Sequence, residues 1–220
     1  MSFLSKVINT FWDFIYPRRC LRCRKDGTYF CPKCLILTDG APKPKDDFVI
    51  SVWSYKNPYI KKILWIIKYR GGFSAVNDLT PTAYDHLLGE LIERKIMENF
   101  LDPILIPIPL SKKKLKQRGY NQSDKIAEAL VKLDQNKNFI LNKNILFKIK
   151  NTPNQAAIKN KKARLENLIG CFAVKNPELI KGRNIILLDD VATTGATLRE
   201  ARHTLRQSGA GKVMAITLAH

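Results

Sequence analysis

The chain has 220 residues, 45% of them hydrophobic, and a formal net charge of +19 at pH 7. This length suits one α/β domain with a small appendage, and the apolar content is enough for a sizeable core. No stretch approaches the ~20 consecutive apolar residues of a membrane span, so a transmembrane segment is excluded.

Positive charge is concentrated in the middle of the chain. Residues 111–165 hold 15 lysines and arginines against three acids, and so carry +12 of the net charge. Such a cluster suits a polyanionic partner: diphosphate, nucleic acid, or both. The alternative is a lysine-rich surface that is simply solvated.

Residues 1–16 are apolar but do not form a targeting signal, because polar residues interrupt them and no small-residue cleavage site follows. We therefore expect a cytoplasmic protein, with peripheral contact at the inner face of the cytoplasmic membrane left open. The apolar residues fall on one helical face, which we expect to dock within the protein; docking on a partner or on a membrane surface are the alternatives. They are Leu4, Val7, Ile8, Phe11, Phe14 and Ile15.

Four cysteines form the pattern C-x2-C-x7-C-x2-C at Cys20, Cys23, Cys31 and Cys34. Each C-x2-C pair places two thiolates on a tight turn, and two pairs complete a tetrahedral site that suits Zn²⁺. Because all four ligands come from the protein, the metal is predicted to be structural. Two disulfides and an iron–sulfur cluster are the alternatives.

A proline-containing stretch, residues 41–45, is interpreted as a linker. It divides the chain into residues 1–45, a helix and a cysteine knuckle, and residues 46–220, the main domain. A strand is predicted over 48–55, an amphipathic helix over 58–69 and a further helix over 83–99.

The next predicted strand, 104–109, ends in Pro-x-Pro and leads into a basic loop and then a helix from Asn121 or Ser123. Ile126, Ala127 and Leu130 should face the core. A strand followed by a basic loop and a helix start is typical of an anion site.

A third strand is predicted over 144–149, followed by a long polar segment that we interpret as a lid. Further strands are predicted over 170–174 and 212–218.

The apolar run 185–188 is predicted to be a strand buried on both faces of a parallel sheet. Asp189 and Asp190 follow at its carboxyl end, where open α/β sheets bind ligands. The next residues are small or hydroxylic, and a helix should start with Thr197 as its N-cap. Carboxylates can accept from adjacent hydroxyls while the loop and the helix dipole hold a phosphate.

This order of strand, two acids and Thr-Thr-Gly-x-Thr loop resembles the PRPP-binding signature of type I phosphoribosyltransferases (PRPP is 5-phosphoribosyl-1-diphosphate). The resemblance implies an α/β fold, with a parallel sheet flanked by helices. It assigns the ribose hydroxyls to Asp189 and Asp190. The loop that would hold the 5-phosphate comprises Ala192, Thr193, Thr194, Gly195, Ala196 and Thr197.

Four further features resemble the ComF branch of that superfamily: the cysteine knuckle, the Lys68-Tyr69 helix end, the Pro-x-Pro strand end and the run Arg-Gly-Tyr-Asn-Gln-Ser. The implied diphosphate loop comprises Arg118, Asn121, Gln122 and Ser123. The implied lid residues are Lys150, Thr152, Gln155, Arg164 and Asn167.

The ComF family is associated with natural transformation, so the resemblance implies a PRPP-binding protein, with Mg²⁺, that handles single-stranded DNA in the cytoplasm beside other DNA-uptake proteins. The alternative is an active phosphoribosyltransferase that transfers the phosphoribosyl group of PRPP to a small-molecule acceptor, which the sequence does not identify, and releases diphosphate. A transcription regulator is a third class, without support from a helix-turn-helix pattern. The DNA candidates are Lys112, Lys113, Lys114, Lys116 and Tyr120, extended by the basic residues of 18–25.

Overall fold

A computed structural model of the chain describes residues 18–42, 46–150 and 169–220. The predicted apolar helix face of residues 1–16 lies outside the described residues, as do the predicted lid residues Thr152, Gln155, Arg164 and Asn167.

The described elements follow one another as an α/β chain. In order they are α1 (Pro32–Ile36), β1 (Val49–Trp53), α2 (Pro58–Tyr69), α3 (Phe73–Glu98), β2 (Ile104–Pro107), α4 (Lys112–Arg118), α5 (Gln122–Leu133), β3 (Ile140–Leu141), β4 (Leu146–Lys148), β5 (Phe172–Val174), a 3₁₀ turn (Pro177–Leu179), β6 (Ile185–Val191), α6 (Ala196–Gln207) and β7 (Val213–Ala219).

Within the described stretches, five parallel strands form the main sheet in the order β1-β7-β6-β2-β3. The central strand β6 is covered on both faces, which explains its continuous apolar run. Ile186 and Leu188 point into one hydrophobic core, while Ile185 and Leu187 point into the other. Pro107 of β2 pairs with Leu188, so β2 ends beside the acids of β6.

Helix α2 has the predicted bounds, 58–69. Asn57 caps it by accepting from the N–H groups of Tyr59 and Ile60 at 3.0 and 3.3 Å. One face of the helix is buried, through Ile60, Ile63, Leu64, Ile66 and Ile67.

Helix α3 starts at Phe73, ten residues before its predicted start, and Pro81 lies inside it. An interior proline costs about 3 kcal/mol because it removes one backbone bond. The first turns nevertheless bury Ala75, Val76 and Leu79 completely or almost completely. This tertiary packing outweighs the local penalty, which is why the sequence pattern placed the start too late.

The predicted strand over 144–149 exists but is shorter, and it is not part of the main sheet. Its residues Leu146–Lys148 pair antiparallel with Phe172–Val174 in a separate two-stranded sheet. Strand β3, which closes one edge of the main sheet, was not predicted, because two residues carry no periodicity.

Candidate functional site

A cavity of about 650 Å³ lies at the carboxyl edge of the main sheet, beside the ends of β2 and β6. Of the residues that the structure describes, six cations and two carboxylates line it. They are Lys61, Lys62, Lys68, Lys114, Arg118, Lys148, Asp189 and Asp190. The excess of positive charge favours a polyanionic ligand, and the two acids suit a ligand that also carries hydroxyl groups.

The two acids lie within the carboxyl-terminal part of β6, which continues through Val191 instead of ending at Leu188 as predicted. The Oδ1 atom of Asp189 accepts from the Ser123 hydroxyl at 3.0 Å and from the Asp190 N–H at 2.9 Å. Burial, and then the neighbouring charge of Asp190, raise the pKa of Asp189 to about 7.

Lys68 at the end of α2 is the counterion of the second acid. Its Nζ lies 2.6 Å from Oδ2 of Asp190, and the Asp190 side chain is only 5% exposed. Burial alone would lower the pKa of Lys68, but the charge of Asp190, the hydrogen bond to it and the nearby charge of Asp189 together outweigh burial and raise that pKa. The ion pair therefore ties the end of α2 to β6.

The loop after β6 turns sharply at Gly195, whose φ of 70° lies in the left-handed region. Helix α6 begins at Ala196 with Gly195 as its N-cap, so the prediction of Thr197 as N-cap is wrong. Glycine suits this cap because its φ is positive and because a Cβ there would lie 2.6 Å from Oδ2 of Asp46 and would force that side chain to move.

Arg199 of α6 holds the loop between β6 and α6 through two contacts. One guanidinium nitrogen donates to the Thr194 carbonyl at 2.8 Å, and another lies 2.5 Å from Oδ2 of Asp46. Of the predicted phosphate-loop residues, Thr193 and Thr197 line the cavity, whereas Ala192 and Ala196 are buried beneath it.

The predicted basic loop is a helix, α4. Ser111 caps it by accepting from the Lys114 N–H at 3.4 Å, and Gly119 ends it with a φ of 76°. Because side chains four residues apart share a helix face, Lys114 and Arg118 both line the cavity. The other three DNA candidates of this helix, Lys112, Lys113 and Lys116, are exposed.

The predicted diphosphate set is only partly in the cavity. Arg118 and Gln122 line it and are joined by a 2.9 Å hydrogen bond. Asn121 and Ser123 are buried instead: the Asn121 amide donates to the Ile108 carbonyl at 3.0 Å, and the Ser123 hydroxyl holds Asp189. These two residues position the site rather than line it.

Tyr120, the aromatic DNA candidate, is engaged within the protein. Its hydroxyl donates to the Ile67 carbonyl and accepts from the Gly71 N–H, and its ring packs edge-on against Phe73 at 5.1 Å. This side chain joins the end of α2 to the start of α5.

Lys148, at the end of β4, was not singled out as a site residue, because its short strand gives no indication of where the side chain points. Burial lowers its pKa, and burial together with Lys148 and Arg118 lowers the pKa of Lys114. An anion in the cavity would relieve this destabilisation of the charged forms. Lys150, the one described residue of the predicted lid, donates to the Ile169 carbonyl at 3.1 Å.

The four cysteines of the knuckle come together as predicted. Their Sγ atoms all lie within 4.8 Å of one another, and those of Cys23 and Cys31 are 3.7 Å apart. A tetrahedron with Zn–S bonds of about 2.3 Å has edges of about 3.8 Å, so the thiols fit a zinc ion. All four are free thiols in the structure.

Without a cation the thiols differ in ionisation. Burial would raise the pKa of Cys20, but backbone N–H groups of Cys23, Cys31 and Arg22 lower it to about 6. Burial raises the pKa of Cys34 to about 12. A divalent metal would stabilise the thiolate form of all four.

The knuckle packs directly on the main domain. Phe30, between the two cysteine pairs, is completely buried in the same hydrophobic core as α2 and α3. Asp78 of α3 accepts from the N–H groups of Tyr29 and Phe30 at 2.7 and 3.2 Å. The two segments predicted on either side of residue 45 therefore share a core.

Among the described helices, none combines the length and the apolar character that crossing a bilayer requires.

Comparison with known proteins identifies a family model and several relatives that this chain resembles. Residues 118–220 match the family model described as "Phosphoribosyl transferase domain". The chain is 32% identical over 171 residues to "Competence protein ComFC" of Bacillus subtilis, covering 76% of this chain and 62% of that protein. It therefore spans less than two thirds of that relative's length.

Two further relatives are covered over most of their length. "Competence protein F" of Haemophilus influenzae is 26% identical over 205 residues, covering 91% of this chain and 83% of that protein. "DNA utilization protein YhgH" of Escherichia coli O6:H1 is 24% identical over 204 residues, covering 88% of this chain and 85% of that protein.

Proposed function

Because the chain belongs to the ComF family and has the type I phosphoribosyltransferase fold behind a four-cysteine cluster, we propose that it binds PRPP with Mg²⁺ and serves natural transformation by handling single-stranded DNA. The observation that supports this most is the cavity, where two carboxylates and six cations converge at the carboxyl edge of a parallel sheet. PRPP carries both groups that such a site recognises, vicinal hydroxyls and phosphates.

Different residues of the cavity would bind the hydroxyl groups and the phosphate groups of PRPP. Asp189 and Asp190 would accept from the ribose hydroxyls, in charge-assisted bonds of roughly 1.5–3 kcal/mol each. The loop 192–197 and the positive end of α6 would hold the 5-phosphate. Lys114, Arg118 and Lys148 would face the diphosphate.

Magnesium fits the same donor set, since hard cations prefer carboxylate and phosphate oxygens. Asp189 and Asp190 would hold it, and when bound it would neutralise charge on the diphosphate. Lys68, 2.6 Å from Oδ2 of Asp190, holds that carboxylate in place at the cavity.

Calorimetric titration with PRPP and Mg²⁺ tests the proposal. The double variant Asp189→Asn/Asp190→Asn should bind at least tenfold more weakly, a loss of about 1.4 kcal/mol. Asp85→Asn, at an exposed position of α3, is the matched control and should bind as the wild type does. Unchanged affinity in the folded double variant would refute the assignment.

Helix α4 offers a second matched pair. Arg118 lines the cavity and Lys116, on the same helix, is exposed. Arg118→Gln should weaken PRPP binding about tenfold, the effect of losing one charge-assisted bond, while Lys116→Gln should not. Equal effects of the two substitutions would mean that overall charge, not this cavity, attracts the ligand.

The DNA part of the proposal is supported by the outward lysines of α4 and by relatives whose names refer to competence and DNA utilization. An active transferase is the second candidate, and three aromatic residues in the cavity wall favour it, because they could contact a planar acceptor. They are Tyr55, Trp65 and Tyr69. Diphosphate release from PRPP in the presence of nucleobases would identify this activity, and its absence under saturating PRPP would argue for binding alone.

A further inference from the structure

We propose that the exposed face of α2 is a nucleobase-stacking surface at the mouth of the PRPP cavity, with Trp65 and Tyr69 as its stacking rings. This inference depends on the proposed function in one respect, namely that PRPP is the ligand of the neighbouring cavity. We call this surface the aromatic face and define it as Tyr55, Lys61, Lys62, Trp65 and Tyr69, all of which line the cavity.

Apart from Tyr55, which precedes α2, the aromatic face is the solvent side of that strongly two-sided helix. The opposite side buries five aliphatic residues, whereas Trp65 and Tyr69 remain 48% and 56% exposed. Leaving ring surface of this size in water is unfavourable. A planar ligand would remove that surface from water without any change in the helix.

Each ring of the aromatic face already has a cation beside it. Lys61 Nζ lies 5.7 Å from the centre of the Tyr55 ring, and the guanidinium of Arg70 lies 5.3 Å from that of Trp65. The guanidinium of Arg118 lies 5.1 Å from the Tyr69 ring. Rings alternating with cations match the alternation of bases and phosphates in a single strand.

The chemistry of the helix favours a nucleic acid over an apolar protein partner. Residues 58–70 contain four basic residues and no acid. Lys68 is already paired with Asp190. An apolar partner would have to desolvate the other three, Lys61, Lys62 and Arg70, at a cost that no carboxylate of the helix offsets. A polynucleotide supplies the phosphates that pair with them.

The dimensions also fit. From Lys61 to Tyr69 a helix rises about 12 Å, at about 1.5 Å per residue. A stacked strand advances about 3.4 Å per nucleotide, so roughly three nucleotides can lie along this face. Tyr120, the aromatic DNA candidate of the sequence analysis, packs within the protein. We therefore assign base stacking to Trp65 and Tyr69 instead.

Fluorescence anisotropy with labelled oligo(dT) and with a matched abasic oligonucleotide tests the proposal. Trp65→Ala should weaken binding of oligo(dT) by about tenfold, within the range known for base–aromatic stacking, and should leave binding of the abasic strand unchanged. Trp65→Phe should restore most of the affinity. Ile96→Ala, which removes a 76% exposed apolar side chain from α3, is the control and should have no effect.

Quenching of tryptophan fluorescence by thymidine distinguishes the source of the base. If thymidine quenches the wild type but not Trp65→Phe, and the wild type does not bind the oligonucleotide, the result would support stacking with a free base as the ligand. Oligonucleotide binding that Trp65→Ala does not weaken, in protein whose thermal unfolding is unchanged, would overturn the proposal. So would a wild type that responds to neither thymidine nor oligo(dT) at low salt. PRPP titration of the wild type reports on the proposed function separately.

Discussion

The Ser123 hydroxyl donates a 3.0 Å hydrogen bond to Oδ1 of Asp189, and so joins the first turn of α5 to the end of β6. Ser123 is completely buried, so it cannot contact a ligand directly. Its effect on the cavity must pass through the orientation and ionisation of Asp189.

Ser123→Ala should weaken binding of PRPP and Mg²⁺ by about tenfold, because a hydrogen bond to a charged group contributes about 1.5–3 kcal/mol. Loss of the donor also raises the pKa of Asp189, so the pH at which affinity is half-maximal should move upward. Calorimetry between pH 5.5 and 8.5 measures both. Ser208→Ala, which removes a hydroxyl at the far end of α6, is the control. A variant with wild-type affinity and pH profile would show that the bond is without functional effect.

Asp189→Asn should stabilise the ligand-free protein at neutral pH. The folded pKa of about 7 exceeds the ordinary value of 3.8, so the folded state keeps this proton where the unfolded state has lost it. Stability therefore falls as pH rises from about 4 to 7, and asparagine avoids that loss. Urea unfolding at pH 7.5 should show a gain of about 1 kcal/mol or more, and the gain should vanish near pH 3.5.

The neighbouring acid gives the opposite expectation. Asp190→Asn removes the partner of Lys68 and leaves a largely buried cation without its carboxylate. This substitution should destabilise the protein by about 3 kcal/mol. If the two asparagine variants changed the free energy of unfolding in the same direction, the proposed division of roles between the acids would be wrong.

Gly195→Ala and Gly119→Ala separate backbone strain from steric conflict. Both glycines have positive φ, 70° and 76°, so each substitution should cost about 1–2 kcal/mol for the backbone alone. A Cβ at Gly195 would also displace the Asp46–Arg199 ion pair, whereas no described atom lies within 4 Å of one at Gly119. Thermal unfolding should therefore show a larger loss for Gly195→Ala, and equal losses would contradict this account of the loop.

Purified protein should contain one Zn²⁺ per chain. Cys20→Ser should lower the metal content and the melting temperature of the whole protein, because the knuckle shares its core with α2 and α3. Cys171→Ala, outside the cluster, should retain one zinc. Metal-free protein whose mass shows two disulfides would refute the site.

Single-stranded DNA binding should weaken with salt. If about five phosphates are neutralised, log K should fall against log salt with a slope near −3.5, at roughly −0.7 per phosphate. Replacing the exposed Lys112, Lys113 and Lys116 by Gln should make the slope shallower by about 2. The same change at Lys132, Lys137 and Lys181 removes equal charge away from the cavity and should leave the slope unaltered. Identical slopes in wild type and α4 variant would place the DNA elsewhere.

Where the local sequence pattern and the tertiary packing agree, the sequence alone predicted the structural element correctly. The apolar run of β6 and the spacing of buried residues in α2 predicted both elements, and the cysteine spacing predicted the cluster. Each of these features is determined by residues close together in the chain.

The sequence failed where a side chain's direction depends on a distant element. Asn121 and Ser123 looked like ligand donors, but contacts with Ile108 and Asp189 turn them inward. The amphipathic pattern of α2 predicted its buried face but not what its exposed face contacts, because only the docking of α2 beside β6 brings that face to the cavity. The sequence did not distinguish the lysines of α4 from one another. In the structure, Lys114 lines the cavity, whereas Lys112, Lys113 and Lys116 are exposed on the surface.

Asp78 has a consequence for how this protein can be dissected. Its carboxylate holds the backbone of Tyr29 and Phe30 against α3, and the Phe30 ring fills the core beneath. A fragment beginning after residue 45 would expose that hollow and leave the carboxylate without these donors. We expect such a fragment to aggregate on expression, whereas the full chain should stay dispersed with zinc in the medium. Deletion of the knuckle would then report on folding and not on DNA binding.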